Sequence, residues 1–486
     1  MRVRRHKAML LGAVFTAMEL FGAMGASRAA QPIDASRRPN VLVIVADDMG
    51  YGDPSSYGAP YATPNMDALA QDGVRFTNAY VTAAVCSPSR AGLMTGRYQQ
   101  RFGHEYQLFS EEQNREFGVD PGQPTIAKSL AAAGYTTALF GKWHLGLAPQ
   151  RNPLKMGFQT FYGFLGGRRP YVDDWDGNVG LEYPDRNKMP ELYQLSDNTQ
   201  MYDNSKKTEL ASYLTDELTD KAVSYIDTHN KKPFLLMVTY SAPHWPLQAT
   251  NAQLKLEAGV ADPDERIYRT VINQEDIGIG RIRETLKKNG LTDNTLIIFL
   301  SDNGCPKYIS QLCSNRPLNG WKRYLMEGGI RIPFIVAWPT KIAKGQTFDG
   351  ITSSLDIYAT AVAAAGAKSD PKQPPDGVNL LPYLEGKAQG NPHDRLYWRS
   401  LPSYAIRDGN WKLLGNGGEN GDEVTMLFDL QADPGEVHDV SAEHPDVVSR
   451  LNAEWKAWSA TLAPAGWPSD RVFDVTIDGK AMKITD

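Results

Sequence analysis

Four short apolar runs, each breaking off into polar residues, constrain this chain more than any other feature in it. They are Val41-Leu42-Val43-Ile44-Val45-Ala46 before Asp47-Asp48, and Thr137-Ala138-Leu139-Phe140 before Gly141-Lys142-Trp143-His144. Phe234-Leu235-Leu236-Met237-Val238 leads in the same way to Pro243-His244-Trp245-Pro246, and Leu296-Ile297-Ile298-Phe299-Leu300 to Asp302-Asn303. Runs this uniform in Val, Ile and Leu predict strands covered on both faces, the pattern of a parallel sheet. Parallel strands need crossovers, and helical stretches are expected at 65–70, 215–229 and 271–289, the last with clear three-to-four spacing. The fold class is therefore α/β. Ligands of open α/β sheets sit at the carboxyl ends of the strands, so four ends that all deliver acidic or cationic residues predict one convergent site.

The residue types divide that site in two. Asp47, Asp48, Asp302 and Asn303 offer only oxygen, a set suited to calcium or magnesium rather than zinc. Two adjacent aspartates at a buried strand end repel each other unless a cation lies between them. Lys142, His144, His244 and Lys322 have the charge to hold an oxyanion. Taken singly, each has a bland reading: a solvated Asp-Asp turn, a structural histidine, a solvated lysine.

Cys86 heads the pentapeptide Cys86-Ser87-Pro88-Ser89-Arg90, followed by Leu93-Met94-Thr95-Gly96-Arg97. A free cysteine is most often a buried small hydrophobe, and a nucleophilic thiol needs a nearby base and a depressed pKa. This run resembles the signature of the type I sulfatases, Cys-x-Pro-x-Arg followed by Thr-Gly-Arg. Gly141-Lys142-Trp143-His144-Leu145-Gly146, Pro243-His244-Trp245-Pro246, Gly320-Trp321-Lys322 and Glu327-Gly328-Gly329-Ile330-Arg331-Ile332-Pro333 match the same family. The resemblance runs from about Pro39 to about Pro339. A weaker C-terminal match lies in Leu427-Phe428-Asp429-Leu430 with Asp433-Pro434 and Glu436.

The resemblance implies an alkaline phosphatase-like fold, a large, mixed, mostly parallel sheet sandwiched by helices. It implies that a formylglycine-generating enzyme oxidises Cys86 to Cα-formylglycine (3-oxoalanine). Asp47, Asp48, Asp302 and Asn303 would hold calcium, or magnesium, with residue 86 reaching the same ion. One hydroxyl of the hydrated aldehyde would attack sulfur, and deprotonation of the second would release sulfate. Serine has no second hydroxyl with which to do so. Arg90 would orient the hydrate with Lys142 and His144 alongside, while His244 and Lys322 bind sulfate oxygens. His244 would also protonate the leaving alcohol.

The first residues carry Arg2, Arg4, Arg5 and Lys7, then an apolar stretch from Ala8 to Met18, with a cut expected after Ala29. That is the layout of a secretory signal peptide, residues 1–29, and it is short for a membrane span. The expected enzyme is exported, periplasmic or secreted, without stable membrane insertion. Loss of the leader takes the formal net charge from −5 to −9, since it removes five basic residues and one acidic one. No basic, aromatic-interleaved patch offers a nucleic-acid surface. Cys305 and Cys313 would close a nine-residue loop, worth roughly 2–3 kcal/mol if bridged, though sequence separation does not establish that geometry.

Two units are expected: a catalytic domain over 39–385 and a C-terminal α+β subdomain over 395–486. The second has short antiparallel strands at 396–398, 404–407, 411–414 and 426–430, and one amphipathic helix over 445–462. For the substrate, 161–205 is dense in Tyr, Trp, Asp and Arg, including Arg168, Arg169, Asp174 and Trp175. These and His104 and Glu105, in a stretch that resembles bacterial carbohydrate sulfatases, are expected to line a pocket for a sulfated sugar or polysaccharide. An arylsulfatase, a phosphonate or phosphate ester hydrolase of the same superfamily, and a non-catalytic carbohydrate-binding relative are the rivals. The last is expected to lack a metal ligand or the modifiable cysteine, and none is missing.

Overall fold

All four apolar runs are strands, and they lie side by side. The computed structural model describes residues 38–173, 179–417 and 423–486. Its large sheet has ten strands, and the middle of it runs Thr295–Ser301, Asn40–Ala46, Phe234–Thr239, Thr136–Lys142 and Thr160–Phe164, all parallel. Phe334–Ala337 joins one side antiparallel to Thr295–Ser301, and Met201–Asp203 joins the other antiparallel to Thr160–Phe164. The mixed, mostly parallel sheet is the one expected.

Alternation along the strands explains the uniform apolar composition. Val41, Val43 and Val45 enter one core, while Leu42, Ile44 and Ala46 enter the other. Leu235 and Met237 divide from Leu236 and Val238 in the same way. The second core is covered by Pro64–Asp72, Leu214–Thr228 and the 26-residue Pro263–Lys288. This last helix begins well before the expected 271. Asp262 caps it through Asp264 and Glu265 backbone N–H groups, and Pro263 occupies its first turn. No helix of the described residues is long and apolar enough to cross a membrane.

On the opposite face, Cys86–Thr95, Ile126–Ala132 and Asp356–Ala364 pack together with a second sheet. That sheet is an antiparallel meander of Arg395–Ser400, Ser403–Asp408, Trp411–Gly417 and Glu423–Asp429. Leu396, Trp398, Ala405 and Leu414 join the core of the large sheet. Its other face, with Tyr404, Ile406, Leu413 and Leu427, takes Leu451 and Trp455 from the helix Pro445–Ser459. A hairpin of Val472–Ile477 and Lys480–Thr485 follows, which the sequence reading did not anticipate.

A buried ion triad fastens the meander to the segment behind the site. Lys412 Nζ lies 3.0 Å from Glu327 Oε1 and 2.8 Å from Glu436 Oε1, with the lysine and Glu327 fully buried. Breaking a buried pair leaves uncompensated charge at a cost of about 3–5 kcal/mol. Lys412→Ala should therefore lower unfolding stability by that amount in urea titration. A loss under about 1 kcal/mol would show the triad to be structurally idle.

Candidate active site

The four strand ends converge as expected, and the register explains how. Adjacent parallel strands end level, so Asp47 and Asp302 follow directly on the paired Ala46 and Ser301. Asp302 N–H donates to Ala46 O at 3.1 Å, and Asp48 N–H to Asp302 Oδ1 at 3.2 Å. Asp48 turns back through φ 67°, His144 through φ 60° and Arg323 through φ 82°. Left-handed conformations at non-glycine residues cost on the order of 1–3 kcal/mol each and collect at functional sites.

Cys86 opens the helix Cys86–Thr95, so Arg90 lies one turn along on the same face. Its sulfur is 3.5 Å from Asp47 Oδ1, 3.8 Å from Asp48 Oδ1 and 3.0 Å from Lys322 Nζ. Arg90 Nε donates to Asp302 Oδ2 at 2.7 Å, Lys142 Nζ to Asp47 Oδ2 at 2.6 Å and Lys322 Nζ to Asp48 Oδ1 at 2.6 Å. All are buried. Three carboxylates thus meet three side-chain cations.

The cluster has the donors to hold a metal ion. Asp48 Oδ2 and Asn303 Oδ1 are buried oxygens with no hydrogen-bond partner. Ligand atoms of Asp47, Asp48, Cys86 and His244 all lie within 4.8 Å of one another. With the carboxylates already balanced by Arg90, Lys142 and Lys322, a divalent ion would make the cluster positive and receptive to an anion.

Burial pushes the Cys86 thiol up to about 12, Asp302 adding to the effect and Lys142 and Lys322 opposing it. Burial likewise raises Asp47 to about 7 against the pull of Lys142. Asp48 goes the other way: against burial, Lys322 and then His244 hold it below the usual carboxylate range. His144 is held well below its usual value by burial and then by Lys142. Its Nε2 faces Leu108 O at 2.8 Å, and a carbonyl only accepts, so the proton is on Nε2. Nδ1 is left bare and unpartnered. His244 is also depressed, chiefly by burial, with Asp48 raising it in part. Its Nδ1 donates to Trp245 O at 2.5 Å, while Nε2 faces Asp48 Oδ2 at 3.5 Å.

The expected pocket-lining residues separate. His104 is buried behind Ser87, the neighbour of Cys86: its Nε2 is 2.7 Å from Ser87 Oγ, which donates to His144 O at 2.8 Å. Glu105 is a correction. It is buried and binds Arg399 of the meander at 2.6 Å, so its carboxylate holds two parts of the chain together. Arg169 is a second correction, being buried, paired with Asp173 and bonded to Thr199 O at 2.8 Å. Arg168 is half-buried, and Asp174 lies outside the described residues, as does the expected signal peptide.

Sequence reasoning missed Tyr308 and gave Trp245 no role. Their rings pack 4.3 Å apart, and Tyr308 lies within electrostatic reach of Lys322, Asp48 and Cys86. Tyr308 rides on the loop closed by Cys305–Cys313, which are bonded with Cα atoms 6.1 Å apart. Cys305 O also accepts from Lys322 N at 2.9 Å, so the bridged loop braces the lysine. The one sequence signal for Tyr308 was its place between two cysteines.

Comparison with known proteins identifies the family. The sulfatase family signature matches residues 39–367, and that of the N-sulphoglucosamine sulphohydrolase C-terminal region matches 319–460. The chain belongs to the sulfatase family and is an enzyme, a sulfuric ester hydrolase. It is 31% identical to N-acetylgalactosamine-6-O-sulfatase of Bacteroides thetaiotaomicron, over 86% of this chain and 92% of that protein. It is 32% identical to human N-acetylgalactosamine-6-sulfatase, over 91% and 88% of the two chains. The crystal structure of Ps i-CgsB in complex with k-i-k-neocarrahexaose superimposes with a TM-score of 0.79 at 35% identity, covering 88% of this chain and 94% of that one.

A thiol raised to about 12 stays protonated where an ordinary thiol, near 9, has ionised. Chain made without a modifying enzyme should therefore alkylate at Cys86 about 10³-fold more slowly than free cysteine at pH 8. Iodoacetamide labelling of folded and urea-unfolded protein checks this. Equal rates in the two states would contradict the burial and charge environment described.

Proposed function

We propose that this enzyme removes sulfate from a sulfated sugar or polysaccharide, using a formylglycine made from Cys86 and a bound calcium. The position of Cys86 carries the reading. A buried, protonated thiol among three carboxylates and three cations is a poor nucleophile as it stands, while its place at the head of a helix suits a group that attacks a bound anion. Converted to formylglycine, residue 86 would supply a hydrated aldehyde, one hydroxyl attacking sulfur and the other allowing sulfate to be expelled. Asp47, Asp48, Asp302 and Asn303 would hold calcium, which would polarise a sulfate oxygen and offset its charge.

The remaining roles fall to this chain's own side chains. Arg90 and Lys142 fix the carboxylates around residue 86 and so its orientation. Lys322, whose Nζ is 3.0 Å from Cys86 Sγ, would grip a sulfate oxygen. His144, with a bare and unpartnered Nδ1, is suited to accept the proton whose loss expels sulfate. His244 must carry a second proton to serve as acid. Asp48 favours that form, and an arriving sulfate ester favours it further.

A sugar substrate is supported by the N-acetylgalactosamine-6-sulfatase relatives and by the carrahexaose complex of the similar structure. The Trp245–Tyr308 pair beside the cluster suits a sugar ring. The Cys305–Cys313 bridge favours an oxidising compartment and, with the leader-like first residues, export.

Sulfate release from a panel of sulfated sugars, assayed with and without a calcium chelator, tests this function. A sugar alkoxide needs a proton that a nitrophenolate does not. His244→Ala should therefore lower kcat by about 10²–10⁴-fold on a sulfated sugar and far less on nitrophenyl sulfate. Lys322→Ala should lower both by similar factors. Equal losses in the histidine variant would restrict His244 to sulfate binding, and no sulfate release from any sugar would overturn the carbohydrate reading.

A further inference from the structure

Two segments flank the His144 imidazole and then emerge beside each other. Leu108 O accepts from His144 Nε2 at 2.8 Å, and the next residue, Phe109, is 40% exposed. Gly167 packs so closely that a Cβ there would stand 2.7 Å from the His144 ring, and the next residue is the half-buried Arg168. Each segment passes from the reacting centre to the surface within one residue.

The C-terminal hairpin brings a second guanidinium to this place. Arg471 lies over the exposed Phe109 ring, its Cζ 3.4 Å from the centroid. Asp486 N–H donates to Arg471 O at 3.3 Å, and the Asp486 carboxylate takes Arg323, the neighbour of Lys322. Burial, and among its neighbours the charge of Arg471, lower the pKa of Arg168, while Tyr308 and Glu191 oppose this. The two arginines and Tyr308 are therefore one neighbourhood.

Their charges are uncommitted. Arg90, Arg169, Arg323 and Arg399 each have a carboxylate partner. Among the described residues neither Arg168 nor Arg471 has one; the single polar side-chain contact of Arg168 is to Glu191 O at 3.5 Å. Two like charges with no carboxylate in direct contact are unfavourable, Glu191 offsetting that of Arg168 only from a distance, and an anion bound between them would relieve the cost. The scissile sulfate belongs on Lys322 and His244, one layer further in.

Resting on the carbohydrate reading above, we infer that Arg168 and Arg471 form a subsite for a second anionic group of the substrate. The group is a sulfate or a carboxylate on the ring next to the one being desulfated. Guanidinium forks match both, and Phe109 and Tyr308 offer apolar faces to the sugar between. The substrate class is thus an oligosaccharide with anionic substituents on successive rings, not an isolated monosulfated sugar.

The test compares three tetrasaccharides with the same scissile sulfate ester: one otherwise neutral, one with a sulfate on the adjacent ring and one with a uronate there. The readout is the kcat/KM of each charged substrate divided by that of the neutral one. The wild-type enzyme should prefer at least one charged substrate by about 10–100-fold, mainly through KM. Whichever charged substrate is preferred identifies the group as sulfate or carboxylate. Arg471→Gln, a change at an exposed position, should reduce the preference several-fold, and Arg168→Gln combined with it should bring the ratio near one. Arg168→Lys should retain part of it, and melting temperatures check that the variants are folded. A wild-type ratio near one, or a ratio unchanged in the double variant, overturns the subsite alone. Turnover of nitrophenyl sulfate with none of any saccharide overturns the carbohydrate reading beneath it.

Discussion

Three buried carboxylates facing three buried cations is the arrangement on which the rest of the structure depends. Asp47 with Lys142, Asp48 with Lys322 and Asp302 with Arg90 come from the ends of central strands, the Cys86 helix and the loop after Cys313. Each charge is tolerable in a dry interior only because its partner is present, and removing one leaves the other exposed to a low dielectric. The cluster therefore fixes the relative positions of three strand ends, one helix start and the Lys322 loop. It also holds the Cys86 sulfur within 3.0 Å of Lys322, where an activated group would meet an anion.

Outer layers of the fold hold that cluster in place. Lys412 draws Glu327 and Glu436 together beneath the Glu327–Ile330 turn, whose tight packing leaves no space for a Cβ at Gly304. Glu105 reaches Arg399, and Asp486 reaches Arg323, so the meander and the terminal hairpin each make an ion pair with a segment lining the site. The C-terminal part is thus part of the wall. That is why a substrate subsite can include Arg471, far from Cys86 in sequence.

The sequence made the central sheet readable because a strand buried on both faces leaves an unbroken apolar run, and polar residues at its end have one place to go. The meander was readable for a related reason, since turn residues such as Asp408-Gly409-Asn410 punctuate it. Less of the rest was visible. The first turn of Pro263–Lys288 is polar, and the cap at Asp262 with Pro263 marks its start. The terminal hairpin carries exposed Val472 and polar Asp474 and Thr476, so its alternation buries little. Glu105 and Arg169 show the limit for a site: a charged residue beside a motif reads as pocket lining, and only tertiary contact reveals a buried partner. Tyr308 was hidden because an aromatic residue in a short bridged loop has no periodicity to betray its direction.

We propose that Cys86 works as an aldehyde within this charge cluster. Mass spectrometry of the peptide carrying residue 86, on preparations of graded activity, tests it most directly. Sulfate-ester turnover should rise in proportion to the fraction of residue 86 found as formylglycine and vanish where it is wholly cysteine. A fully active preparation in which residue 86 is an intact thiol would contradict it.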